Sequence, residues 1–446
     1  MSEPGSLPSG GPTREEIAKI EIGSTTVSPR VARALTAFFL ICITLVPLVE
    51  IVVPRFSADG SPPTVWSKLA AIPSGMSAAV QAEAQQGRTG LWKRALAANR
   101  AALSGLTSFE NALEDESVLG RALRPPAQLV LSGWLGAGNE RVYVGRRADD
   151  NARWLFYRPD LEYLTGRGFL DERTIRRRIA GASEWTAPPQ PDPRPAILAF
   201  HRQLAARGIT LIVVPAPVKP GVHPEKLRPS SASDRVLQNS SYQHFVEWAH
   251  REGILLFDPS QALEDAKRSA PQYLAADTHW RPEAMELVAG RLAAFVNQRA
   301  SLPASAAAKY RIDEREISNQ GDTVAMLDLP GGQHLYPPER VLLSRVVNDD
   351  GSAWRSDRAA DVLLLGDSFA NIYSLASMGW GDSAGFAEHL SYALSRPVDR
   401  IVQNDDGAFA PREMLTKAGP ERIAGKRVVI WQFAARELAF GNWKLP

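Results

Sequence analysis

Between residues 195 and 434 the chain alternates short aliphatic runs with amphipathic stretches, and this alternation restricts the fold more than any other feature. The runs are "ITLIVVP" (209–215), "ILLFDPS" (254–260), "ADVLLLGDS" (360–368), "VDRIVQND" (398–405) and "KRVVIWQFA" (426–434). Helical spacing of apolar residues fills 195–207, 233–251, 281–298, 383–396 and 411–418. A strand that is apolar on both faces has to be covered on both, and the intervening helices are the available cover. The pattern predicts an α/β domain with a mostly parallel sheet between two helical layers. Residues 300–350 break the alternation and read as an insertion with its own loops.

Ahead of this region lies one strongly apolar stretch, "ARALTAFFLICITLVPLVEIVV" (32–53), uncharged from Leu35 to Leu48. A helix needs ~20 apolar residues to cross a bilayer, so the segment reaches if Arg33 and Glu50 sit at the two interfaces. A cleaved signal peptide is the main rival, but the apolar run starts late and no clear small-x-small cleavage site follows it, so we read 31–53 as an uncleaved signal anchor. Arg30 and Arg33 precede the span and Arg55 follows it, which favours a cytoplasmic N-terminus with everything after Val53 outside. That places the α/β region in the periplasm, tethered to the inner membrane, with Cys42 a small apolar residue inside the bilayer. Residues 1–30, rich in Pro, Gly, Ser and Thr, read as a disordered tail. Residues 54–139 read as a linker ("FSADGSPPT") and a helical region over 76–124, broken by "RPPAQLVLSGWL"; the main domain is 140–446. It opens on a hairpin-like pair of strands in "RVYVGRRADDNARWLFYRP" (141–159), and "TAPPQPDPRP" (186–195) is a second break.

Composition removes several functional classes. Lys plus Arg number 51 against 49 Asp plus Glu, so the excess of positive charge that nucleic-acid binding needs is absent. The single cysteine, Cys42, excludes an internal disulfide and a cysteine-based zinc site. His244 and His250 lie six apart on one helix and face different ways, and no H-E-x-x-H occurs, so neither a metal nor another cofactor is expected.

In a sheet of this kind ligands sit beyond the carboxyl ends of the strands. The residues there are Lys219 in "APVKP", Asp258, Gly366-Asp367-Ser368, Asn404 and Asp405, and Gln432 with Arg436 and Glu437. Gly366 allows a sharp turn after its strand, and Ser368 then begins the next segment, where unsatisfied backbone N–H groups can form an oxyanion hole. The same Asp and Ser could equally do no more than cap a helix. "DTHW" (277–280) alters that balance, because a serine hydroxyl needs a base and the base needs a partner to fix its tautomer. In an extended segment Asp277 and His279 share a face, although on their own they could form a surface turn before the helix at 281–298.

Taken together, "DTHW" upstream of a strand ending "GDSF" resembles the SGNH-hydrolase-like domain of the AlgX/AlgJ family of alginate O-acetylation proteins. "GRRADDNARWLFYRPDLEYL", "VVPAPVKPGVHPEKL" and "GDTVAMLDLP" (321–330) are similar to further family stretches, so the likeness covers roughly 140–440. The resemblance implies a three-layer SGNH-like fold in which Ser368 is the nucleophile, His279 the general base and Asp277 its orienting partner. It runs in the order Asp, His, Ser, a circular permutation of typical SGNH esterases, which place the serine block first and a D-x-x-H near the C-terminus. Phe369, Asn404, Arg436 and Lys219 are candidate oxyanion or substrate contacts. The resemblance further implies acetyl transfer to a polysaccharide through an acetyl-serine, with a multipass membrane acyltransferase supplying the acetyl group. A carbohydrate acetylesterase and a non-catalytic subunit of an acetylation or export complex are the alternatives.

Overall fold

The computed structural model describes residues 28–56, 64–85, 90–145, 153–181, 188–228, 231, 233–304, 307–404 and 407–445. Most of the N-terminal tail, most of the "FSADGSPPT" linker and Asp405 lie outside the described residues. Two compact units separate at Arg124–Pro125, ahead of the boundary at 139 expected from composition.

The first unit is helical. Its helix Pro29–Phe56 contains a stretch, Pro29–Glu50, long and apolar enough to cross a bilayer, with a mean hydropathy of 2.1. Large side chains along it, Phe38 and Phe39 among them, stand exposed. Glu50, expected at a membrane interface, is buried against protein: it accepts from Ser117 Oγ at 2.6 Å and from the Leu119 amide at 3.2 Å. The expected break at "RPPAQLVLSGWL" is not one. Helix Val118–Val130 runs through Pro125 and Pro126, and a π-helical turn, Leu131–Leu135, follows. The two prolines lack the N–H groups that would bond back one turn, so the helix is hydrogen-bonded least where the two units part.

The second unit is built on a five-stranded parallel sheet. Among the described residues its strands in chain order are β1 (Val142–Val144), β2 (Leu155–Tyr157), β3 (Thr210–Ala216), β4 (Leu255–Leu256), β5 (Tyr310–Asn319), β6 (Glu339–Asn348), β7 (Val362–Gly366), β8 (Asp399–Val402) and β9 (Val428–Ala434). The main sheet has the order β4-β3-β9-β7-β8, and each of its pairings is parallel. The unbroken apolar runs have a direct cause. In β3, Ile212 and Val214 enter one core while Leu211 and Val213 enter the other. In β9 Val428 and Ile430 alternate in the same way with Val429 and Trp431. Helices Pro282–Arg299 and Phe386–Leu394 cover the first face, through residues such as Met285, Val288 and Leu390. Helices Pro193–Ala205 and Tyr242–Arg251 cover the second through Ile197, Phe200 and Phe245.

Three local expectations change. The helix expected over 233–251 begins only at Tyr242, and the run at 254–260 pairs over just two residues. Residues 300–350 are more regular than expected: β5 and β6 pair antiparallel over ten residues each, from Tyr310↔Asn348 to Asn319↔Glu339. "YRIDEREISN" carries charge on both faces, so the period-two apolar signal of a half-buried strand is missing. Its partner supplies the buried residues Val341, Leu343 and Val346, while Tyr310 and Ile317 of β5 are only partly buried against the same core. At the unit's start, β1 and β2 form the expected antiparallel pair, with 146–152 outside the described residues.

Candidate active site

Parallel strands place their carboxyl ends at one edge, and the polar exits meet there. Beyond β7, Asp367 caps the short helix Ser368–Asn371 by accepting from the Phe369 amide at 2.9 Å. The same carboxylate takes Gln432 Nε2 at 2.9 Å and the Ala434 amide at 2.6 Å, tying the serine turn to the end of β9. Gly366 is required for space, not for an unusual dihedral: a Cβ there would lie 2.7 Å from that of Ala370.

"DTHW" arrives from a tight excursion closed by an antiparallel bridge between Tyr273 and Trp280. Trp280 is fully buried, sets its ring edge-on to Phe369 at 5.2 Å between centroids and donates Nε1–H to the Phe369 carbonyl at 3.1 Å. The tryptophan thus clamps the aspartate–histidine segment to the serine turn. His279 Nε2 then lies 2.8 Å from Ser368 Oγ, and its Nδ1 lies 2.7 Å from Asp277 Oδ1. Asp277 Oδ1 also accepts the His279 amide at 3.0 Å, while Oδ2 accepts Trp380 Nε1 at 2.9 Å and the Asp322 amide at 3.0 Å.

The electrostatics follow from these contacts. Burial opposes the charge of Asp277, but the hydrogen bonds from His279 and Trp380 and the charge of His279 outweigh it and hold the carboxyl below the usual range. Burial likewise pulls the His279 imidazole down, yet the bond to Asp277 and the charges of Asp277 and Asp322 leave it raised overall. A chain Oγ–H···Nε2, Nδ1–H···Oδ1 is the arrangement that lets an imidazole take a hydroxyl proton with its tautomer fixed. Among the described residues, Asp277, His279 and Asp322 also form a group whose ligand atoms lie within 4.8 Å of one another. With Nδ1 carrying its proton toward Asp277, that nitrogen has no lone pair for a cation.

The other candidate contacts are differently placed. The Phe369 amide is committed to Asp367 and its ring packs 4.8 Å from that of His279, so it lines the base rather than offering a free oxyanion donor. Lys219 is fully buried, its ammonium donating to the carbonyls of Leu155 (2.6 Å), Ala275 (2.8 Å) and Asp277 (2.9 Å). A substrate contact would have to displace one of these bonds. Arg436 lies over the rings of Phe369 and Tyr157 and pairs with buried Asp160 at 3.0 Å. Asn404 accepts from Asn371 Nδ2 at 2.9 Å, which places it beside the serine helix. Sequence reasoning missed Asp160, Asp322, Asn371 and Trp380, although Asp160 and Asp322 lay in stretches already singled out, "GRRADDNARWLFYRPDLEYL" and "GDTVAMLDLP". A cavity of about 720 Å3, with Tyr143, Arg153 and Arg158 in its wall, opens beside β1.

Residues 152–435 match the family model described as the SGNH hydrolase-like domain of the acetyltransferase AlgX. The chain is 28% identical over 253 residues to a probable alginate O-acetylase AlgJ from Pseudomonas fluorescens, spanning 54% of this chain and 60% of that one. It is 28% identical over 252 residues to the probable alginate O-acetylase AlgJ of Pseudomonas aeruginosa, spanning 55% and 63%. The match therefore spans about three fifths of these relatives. Among solved structures, the O-acetyltransferase domain of Pseudomonas putida AlgJ superposes with a TM-score of 0.50 at 22% identity, over 68% of this chain and 93% of that one.

Proposed function

This chain belongs to the family of SGNH hydrolase-like domains of the acetyltransferase AlgX, and from that premise we propose that it is an extracytoplasmic O-acetyltransferase acting on a polysaccharide. The observation that carries the reading is the continuous hydrogen-bonded line from Ser368 through His279 to Asp277 at the carboxyl edge of the sheet. Ser368 Oγ attacks the acetyl carbonyl carbon as His279 Nε2 takes its proton. The tetrahedral intermediate collapses, the donor's leaving group departs with that proton, and an acetyl-serine remains. A sugar hydroxyl then attacks the acetyl-serine, gives its proton to Nε2 and leaves acetylated, and the proton returns to Ser368.

The apolar helix at Pro29–Glu50 supports an inner-membrane anchor with the second unit in the periplasm. Cytoplasmic acetyl donors are out of reach there, which supports a multipass membrane acyltransferase as the source. A reporter fused after Pro446 is expected to be active only outside the cytoplasm; a fusion active in the cytoplasm overturns this topology.

To test the reaction, the protein is incubated with an activated acetyl ester, quenched rapidly and digested. One added acetyl group is expected on the peptide containing Ser368, discharged on adding an oligosaccharide. Discharge to free acetate alone favours the esterase. Transfer without any acetylated Ser368 peptide overturns the covalent route.

A further inference from the structure

The loop that carries Asp322 is pressed against the triad from behind. Gly321 has a φ of +86°, and a Cβ there would lie 2.2 Å from the Ala276 carbonyl oxygen and 3.0 Å from Asp277 Cβ, so glycine is what permits this approach. The approach has two consequences for the base. The Asp322 amide donates to Asp277 Oδ2, and the Asp322 carboxylate turns back onto Thr278, accepting its amide at 2.8 Å and its hydroxyl. That carboxylate stands 3.7 Å from His279 Nδ1, and Thr278 Oγ1 stands 3.1 Å from the same nitrogen. Because the threonine's hydrogen is given to Asp322, its oxygen can only accept from the ring.

We propose that Asp322 is a second positioning carboxylate of the general base, holding His279 with Nδ1 protonated and Nε2 open to Ser368, and supporting the imidazolium that forms when the serine loses its proton. The proposal rests on the acyl-transfer reading above. The proton moves from Ser368 Oγ to His279 Nε2, and none passes to Asp322, which acts through Thr278 and through its charge.

The charged groups facing the imidazole from its neighbours define what is left for Asp322 to do. Asp277 comes from the same segment, and Arg436, after β9, opposes the positive charge of the ring. Arg436 is itself paired with Asp160, which also faces the ring. Lys219 faces the two carboxylates from behind, its donors all committed to carbonyls. Asp322 accepts from the amide and hydroxyl of Thr278, and although burial and the charge of Asp277 push its carboxyl up to about 6, at neutral pH it is ionised and faces the ring.

The test is the pH dependence of His279 in the Asp322→Asn protein, which keeps the size of the side chain and removes its charge. In wild type and variant, the His279 ring is titrated by NMR and the acid limb of kcat/KM is recorded with an activated acetyl ester. Both are expected to move down by about one pH unit, with kcat lowered about tenfold and KM little changed. Thr278→Val, which cuts the hydroxyl link and leaves the charge, is expected to shift both in the same direction by less. A ring titration that superimposes on wild type in both variants overturns the proposal, even if rates fall. The NMR titration needs no turnover, so it stands if acetyl transfer itself is not observed, and that failure would count against the proposed function alone.

Discussion

Ser368→Ala and His279→Ala are each expected to lower acetyl transfer by about 10^3-fold or more, and the double variant to be scarcely slower than either one. The reason is geometric. Ser368 Oγ is a weak nucleophile until Nε2, 2.8 Å away, takes its proton, so removing either partner removes the same step. What survives is the contribution of binding and of whatever stabilises the oxyanion, which neither substitution touches. Additive losses, with the double variant slower by the product of the two effects, would show that the two residues act in separate steps. Asp277→Asn cannot be silent, because all four hydrogen bonds to its carboxylate come from N–H groups. An amide must turn its NH2 either toward Trp380 and Asp322 or toward His279, where it forces the proton onto Nε2, the wrong nitrogen. A fall of about 10^2- to 10^4-fold is expected.

The pH dependence has a definite sign. The base must be neutral to act, and its neighbours raise His279 above its ordinary value of 6.5. The rate should therefore be full on the alkaline side and fall as pH drops through a midpoint above that value. In stability the same shift has the opposite sense: protonated His279 adds stability at low pH, which is lost as pH rises through the raised value.

The legible and the hidden parts of this site differ in how far apart their partners lie. "DTHW" and "GDS" could be paired by reasoning because each is a local pattern with a chemical need for the other. The parallel sheet was legible for a similar reason, since residues buried on both faces leave an unbroken aliphatic run in β3, β7 and β9. Asp322 and Trp380 reach Asp277 only through the packing of segments 45 and 103 residues further on, and nothing local marks them. The β5–β6 ribbon was hidden because charge on both faces of β5 erases the pattern by which a strand is recognised. Lys219 misled for the opposite reason. A lysine just past a strand reads as a ligand contact, and a need for buried carbonyls to find a donor leaves no trace in sequence.

That need makes Lys219 the site of the largest expected loss of stability. Lys219→Met keeps the length and the packing against Trp154 and Phe156 and removes every donor. The Ala275 carbonyl would still accept from the Leu155 amide at 2.9 Å, but those of Leu155 and Asp277 would lose the ammonium. A buried carbonyl left unpaired costs about 1–3 kcal/mol, so two of them, less the relief of no longer burying a charge, come to about 2–4 kcal/mol. The loss should appear as a lower urea midpoint with an unchanged slope. Because one of those carbonyls belongs to Asp277, transfer activity should fall as well, in protein that is still folded. The pH dependence separates this account from simple loss of packing. Burial lowers the Lys219 ammonium from its ordinary 10.5 to about 8, against the pull of Asp277 and the other carboxylates. Between those two values the unfolded chain holds more protons than the folded one, so this residue makes wild-type stability rise with pH across that window. Lys219→Met lacks the effect, and the gap between the two proteins should widen from pH 8 upward. A gap that stays constant across the window would mean that burial does not displace the titration of Lys219.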